Sequence, residues 1–393
     1  MTFMTKIDRS SSGSQAAPDF SLSQRGRSGL EILGSIQKYS SGYLRSIASD
    51  TFHANPEAQK LSAEHEADTN PDKADLRKRI AAAREICLSD KDYRMERFLQ
   101  RYVAEENFNR GIPAIEERRE NFEAFMNMKV EPVEGSELDV SNEIEAPKYY
   151  DRVEWHLEPG GWDGYDLYGP LFAFGLGPLI FRFGGYAAVG YGDDIIEQRA
   201  SAIRQLPKES YERIYEPGCG GVSTLGAINK IFPDAELYGS DLSPLLLKNG
   251  YMLANKQKFP VHLKLEDSTA TSEPDESVDG VITYALHHEL PPKANKELFK
   301  EMFRIMKPGG DIVLSDPPPF RAVSLFQAVV LDWDTDHREE PFFSTILESS
   351  LEDMLEEAGF EKVEAYAIGQ GGYPYITRAR KPETTTAEQG VAA

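Results

Sequence analysis

The sequence predicts an α/β protein: a doubly wound, mostly parallel sheet of seven strands with an N-terminal helical lobe. Three features predict it. From Pro207 onward, short runs rich in Val, Ile and Tyr alternate with amphipathic stretches, and strands that alternate with helices run parallel with both faces covered. From Ala74 to Asn127 the apolar residues recur instead at helical spacing, as in "KDYRMERFLQRYVAEENF". Near the C-terminus two strands are separated only by "GQGGYP", so they must pair antiparallel and give the sheet one reversed edge strand.

Taken in order, residues 1–73 read as a largely disordered region. It is rich in Ser, Gly and Gln, is broken by a short apolar helix in "GLEILGSIQKYSSGYLRSIA", and ends in the polar linker "NPEAQKLSAEHEADTNPDK". Residues 74–205 form a helical lobe followed by an aromatic and glycine-rich lid, with Pro113 placed where a helix could begin. Within 145–200, Tyr149, Tyr150, His156, Trp162 and Tyr165 either fill a core or wall an apolar pocket. Residues 206–381 carry strands at 213–217, 236–241, 261–266, 278–284, 310–315, 362–368 and 374–379. Helices are expected near 221–231, 243–257, 293–306 and 347–358, and residues 382–393 read as a flexible tail.

Composition narrows the function. The 65 acidic residues against 43 basic ones give a formal charge of −22, which repels phosphate backbones, so no nucleic-acid partner is expected. Two cysteines, Cys87 and Cys219, make no disulfide framework and no metal-ligand spacing, which points to a reducing, cytoplasmic setting. The uncharged stretch Leu167–Phe181 is short for a bilayer and interrupted by glycine and proline, so no integral membrane span is expected.

The stretch "RIYEPGCGGVSTLGAINKIFPDAELYGSD" locates a ligand. In a doubly wound sheet ligands bind beyond the C-terminal strand ends. There Gly218 and Gly220 let a ligand approach the backbone and lie against a helix N-terminus. Asp241 ends the next strand, where a carboxylate accepts the hydroxyls of a ribose, and Asp267 ends the one after, placed for an adenine amine. Glu216 would repel a pyrophosphate but attract an ammonium or a sulfonium. The set disfavours NAD and ATP and favours a cationic nucleoside.

With "YEPGCGG", "GSDLSP", "LEDSTA", "VDGVITYALHHELPP" and "EMFRIMKPGGDIVLSD" in order over roughly 206–381, the chain resembles the class I S-adenosylmethionine-dependent methyltransferases of the small-molecule branch. The resemblance implies a Rossmann-like fold with S-adenosylmethionine as cofactor. It implies that Glu216, Gly218, Cys219 and Gly220 hold the methionine end, Asp241 and Leu242 the ribose, and Asp267 and Ser268 the adenine, with Tyr284 near the methyl donor. One position departs: the family's third glycine is Val222 here.

Methyl transfer needs an aligned nucleophile, excluded water and, for some acceptors, a base. His287 and His288 follow the fourth strand and are the candidate bases, His287 slightly preferred and Glu289 third. Either histidine could instead serve the structure, and an acceptor already ionised needs no base. Phe320, Phe326, Trp333, Phe342 and Phe343 in the insertion after strand five are placed at the pocket mouth, or else cover the sheet. They favour a small hydrophobic or aromatic acceptor, methylated at oxygen more readily than at carbon. Asp332, Asp334 and Asp336 read as a solvated acidic loop, and no metal is expected. Two other readings stand beside this one: a cyclisation or rearrangement that uses the bound cofactor for its charge, and a non-catalytic binding scaffold. A homodimer is left open.

Overall fold

The computed structural model describes residues 21–141, 143–151, 153–183, 195–369 and 372–383. Its sheet has eight strands: β1 Glu137–Asp139, β2 Arg213–Pro217, β3 Glu236–Asp241, β4 His262–Leu265, β5 Val278–Tyr284, β6 Met306–Asp316, β7 Glu361–Ala367 and β8 Tyr375–Arg380. The order is β1-β4-β3-β2-β5-β6-β8-β7. Seven of these coincide with the expected strands to within four residues at either end; β1 adds an eighth, parallel to β4.

The reversed strand is not at the edge. β8 runs antiparallel between β6 and β7, so β7 is the outer strand. The tight turn requires β7 and β8 to pair antiparallel, but it leaves open which of them abuts β6. Here Arg380 of β8 meets Asp311 of β6 in an ion pair of 2.7 Å.

The pleat sorts the core. Ile214, Ile282 and Val313 point to one face, packed with Ala202, Ile203, Leu225, Ile228 and Leu247. Tyr215, Val281, Ile312 and Leu314, one position on, point to the other, with Leu298, Phe299, Met302 and Leu355. Helices Ser223–Ile231 and Pro244–Gln257 carry residues of the first set, and Pro292–Ile305 and Leu351–Ala358 carry residues of the second.

The N-terminal stretch is more ordered than its composition suggests. Helices α1 Gln24–Lys38, α2 Arg45–Ala54 and α3 Pro56–Ala67 occupy most of 21–73, and the polar linker folds as α3, capped by Asn55. Leu30, Leu33, Leu44, Ala48 and Phe52 give the segment a buried stripe. Helices α4 Lys73–Ser89 and α5 Lys91–Glu116 follow, with Pro113 inside the last turn of α5 rather than at a helix start.

Packing crosses the boundary expected at 206. Phe320, Leu325, Phe326 and Val329, from the insertion after β6, share a core with Phe52, Ile80 and Tyr93 of the lobe. Leu167, Leu171, Leu176 and Ile180, from the uncharged stretch, bury against Leu30, Leu33, Val103 and Ile115. No helix among the described residues is long and apolar enough to cross a membrane.

Candidate active site

The glycine turn between β2 and helix Ser223–Ile231 adopts the conformation its residues foreshadow. Gly218 has φ +63° and Gly220 φ +48°. A Cβ on Gly218 would lie 2.7 Å from Leu286 Cδ1, whereas one on Gly221 would meet nothing within 4 Å and project into open space. Val222 also sits in the left-handed region, at φ 58° and ψ 22°. The position without its expected glycine therefore keeps the glycine-like backbone, strained for a β-branched side chain. Its buried side chain packs against Gly250, which compensates.

The acids converge on this turn. Asp241 accepts the Gly220 N–H at 2.8 Å through Oδ2 and the Ser243 N–H at 2.9 Å through Oδ1. Burial pushes its carboxyl up to about 6 despite those bonds. Glu216 is 2% exposed, and its Oε2 has no hydrogen-bond partner. Burial raises its carboxyl to about 8; Thr224 and Arg199 oppose the rise, and the charge of Asp241 adds to it. A buried carboxylate oxygen without a donor, beside open backbone, is a site made for a cation.

The remaining expected cofactor residues occupy the same strand tips. Ser240 and Ser268 share a hydrogen bond of 2.7 Å, and Asp267 Oδ1 accepts from the Thr269 N–H and hydroxyl, both at 2.8 Å. Leu242 is half-buried beside Asp241. Cys219 donates its N–H to Ser240 O at 3.0 Å, while its thiol is buried against Gly239. Its contribution at the turn is therefore through the backbone. Tyr284 is buried under the Arg199 guanidinium, 4.5 Å from its ring centroid, and accepts from the Tyr373 hydroxyl at 3.0 Å.

The two histidines separate. His287 is fully buried; its Nδ1 donates to Asn295 Oδ1 at 2.6 Å, and its Nε2 accepts from the Thr283 hydroxyl at 2.9 Å. The Asn295 amide donates to the carbonyls of His287 and Leu290, which fixes its orientation and hence the tautomer. Burial holds this imidazole below its usual range. With both nitrogens engaged, His287 joins β5 to the helix that follows, the structural alternative to the base role expected for it.

His288 lies in a polar cluster. Its Nδ1 donates to Asp316 Oδ1, its Nε2 lies 3.4 Å from Glu289 Oε1, and its ring packs edge-on against Phe343. Burial disfavours its charge, but Asp316 and Glu289 outweigh this and hold it well above the usual histidine range. Both of its nitrogens thus face carboxylates, which favours the charged ring over the free base expected for it. His156 reaches the same point from the turn at 155–157, with Nε2 3.1 Å from Glu289 Oε1 and 2.8 Å from Glu340 Oε1.

A roof covers these tips. The Ser243 hydroxyl donates to Asp163 at 2.6 Å, and Tyr150 donates to the same carboxylate at 3.3 Å. Tyr149 and Trp155 pack on Phe342, and His156 on Trp162. Tyr165 instead joins the lobe core and donates to Glu116. Of the insertion aromatics, Phe342 packs on Tyr149 and Trp155; Phe320, Phe326 and Phe343 lie in the lobe core, Phe343 also meeting His288 edge-on, and Trp333 stacks on Arg97. Asp332, Asp334 and Asp336 belong to helix Leu325–His337, where Arg77, Arg84 and Arg338 pair with them. The solvated acidic loop expected there is corrected.

Sequence reasoning missed Asp316, Asp163 and Glu340. Asp316 carried a usable signal, since it ends β6 as Asp241 ends β3.

Residues 214–310 match the profile of a methyltransferase domain family. An arsenite methyltransferase of Halobacterium salinarum is 28% identical over 39% of this chain and 38% of its own. A trans-aconitate 2-methyltransferase of Methylobacterium radiotolerans is 28% identical over 32% and 46%. A ribosomal RNA small subunit methyltransferase C of Hahella chejuensis is 25% identical over 34% and 39%. The chain thus spans less than half the length of each of these relatives. A solved phosphoethanolamine N-methyltransferase 2 of Haemonchus contortus, in complex with S-adenosylhomocysteine, aligns with a TM-score of 0.41 and 15% identity over 51% of this chain and 56% of that one. The unpartnered Glu216 oxygen and the open space over Gly221 fit a donor that carries an ammonium and a sulfonium. Residues 214–310 therefore lie in a methyltransferase domain.

Proposed function

We propose that the protein methylates a small acceptor carrying an acidic oxygen, a phenol or a carboxylic acid, on that oxygen. The observation that carries this reading is the His288–Asp316 pair at the tips of β5 and β6, under the roof of 149–163 and 340–343. S-adenosylmethionine, when bound, supplies a methyl group already activated on sulfonium. Glu216 would hold its ammonium, Asp241 and Leu242 its ribose, and Asp267 and Ser268 its adenine, with Tyr284 beside the reacting centre.

An imidazolium fixed by Asp316 would turn its Nε2–H, here facing Glu289 at 3.4 Å, to an anionic acceptor oxygen. The acceptor would bind as its anion, its proton already lost to solvent, and the imidazolium would stabilise and orient that oxygen during transfer. Phe342, Phe343, Trp155 and Tyr149 suit a flat apolar body behind that oxygen. The roof would exclude water and a polymeric acceptor alike, and the −22 charge also disfavours RNA.

The test is incubation of the protein and its His288→Gln variant with S-adenosylmethionine and a panel of phenols and aromatic acids. Expected are S-adenosylhomocysteine and a singly methylated ester or ether. In the variant kcat/KM should fall about 10²-fold while donor affinity, measured by calorimetry, is unchanged. Methylation confined to carbon or nitrogen acceptors would sink the oxygen assignment, and failure to bind the donor would sink the whole reading.

A further inference from the structure

Away from the glycine turn, one group of ligand-type side chains converges among the described residues: His156, Glu289 and Glu340, each offering an atom within 4.8 Å of the others. They come from three separate elements: the 155–157 turn, the 287–289 turn after β5, and the loop after helix Leu325–His337. We propose that these three side chains form a site for a first-row divalent cation such as Mn2+, Fe2+ or Zn2+.

The cluster holds more acceptor oxygens than donors. Two carboxylates face one imidazole, and Oε2 of Glu289 and Oε2 of Glu340 are both buried with no partner. The Glu340 side chain is 7% exposed, so bulk solvent scarcely reaches it. The next polar neighbour, His288, is already bonded to Asp316 and touches only Oε1 of Glu289. Buried carboxylate oxygens call for a donor, an ordered water or an ion to complete them.

The spacing suits the ion. His156 Nε2 lies 2.8 and 3.1 Å from the two carboxylate oxygens. Adjacent ligands about 2.1 Å from a six-coordinate ion stand about 3.0 Å apart. One imidazole with two carboxylates suits manganese, iron or zinc; calcium takes oxygen ligands only. Three protein ligands leave positions open, and His156, 39% exposed, is the one of the three that solvent reaches most. If the oxygen-acceptor reading holds, those open positions would hold the acceptor oxygen opposite His288; this part rests on that reading, while the ion site does not. The result would replace the sequence expectation of no metal, at residues no spacing rule could join.

Full-length protein freed of metal by chelation is titrated with Mn2+ alone, followed by the electron paramagnetic resonance of the free ion, and with Zn2+ alone by calorimetry. Expected is one ion per chain with micromolar affinity, weakened at least tenfold in Glu340→Gln and in His156→Ala. Glu236→Gln, on the remote end of β3, should bind as the parent does. Should Glu340→Gln lose its circular-dichroism spectrum, His156→Ala at the half-exposed turn decides alone. No saturable binding below about 1 mM, or equal binding by parent and variants, overturns the site. Donor binding is measured on the same metal-free sample: retained donor binding without ion binding sinks the ion site only, and ion binding without donor binding sinks the proposed reaction only.

Discussion

The half of the cleft proposed for the cofactor, at the tips of β2, β3 and β4, and the half proposed for the acceptor, at the tips of β5 and β6, are built on different principles. The first uses backbone: left-handed glycines, N–H groups aimed at Asp241, and acids one per strand end. The second uses side chains from distant parts of the sequence, with His156, His288, Glu289, Asp316 and Glu340 meeting under a roof. A site made from local backbone geometry leaves a motif in the sequence. One made by tertiary convergence does not.

His287 tests the division most severely, because it lies in the acceptor half yet serves the fold. His287→Ala removes the partners of the buried Thr283 hydroxyl and Asn295 Oδ1 and should cost about 3 kcal/mol of stability in urea unfolding. Folded variant should keep donor affinity and turnover; a hundredfold loss of turnover at unchanged stability would return the residue to the chemistry. Next in size, Asp241→Ala should weaken donor binding by about 2 kcal/mol in calorimetry and leave kcat at saturating donor unaltered. Unchanged affinity would place the ribose elsewhere.

Glu216 gives the smallest and most diagnostic effect. Its carboxyl is raised to about 8, so the free protein carries a proton there at neutral pH, whereas a bound ammonium favours the carboxylate. Donor binding should therefore release a proton below pH 8. Affinity should fall by up to about tenfold per pH unit as pH drops below 8, level off above it, and lose this slope in Glu216→Gln. The same shift acts oppositely on folding: a carboxyl raised in the folded state adds stability at low pH that is lost as pH rises from its unfolded value through about 8. A flat affinity profile in the parent would remove Glu216 from the ammonium.

The contrast also explains what could be read in advance. Strands and helices after 206 followed from period-2 and period-3.6 patterning, and Glu216, Gly218, Gly220, Asp241 and Asp267 from strand-end position. The place of β8 was not legible, because a tight turn fixes pairing but not which strand faces β6. Order in 21–67 was hidden because a polar surface dilutes the stripe of Leu30, Leu33 and Phe52. His287 and His288 are adjacent and alike in sequence; only Thr283, Asn295 and Asp316 tell them apart. Glu340 had no signal, since its partners are 51 and 184 positions away in "HHELPP" and "VEWHLEP".

Ser243 caps the helix that follows the ribose acid and also grips Asp163 of the roof. With the donor seated where proposed, spent and fresh donor could trade places only after that grip is broken. The acceptor product, lying nearer the half-exposed His156 doorway, need not wait for it. The order in which the two products leave would then follow from a single shared hydroxyl.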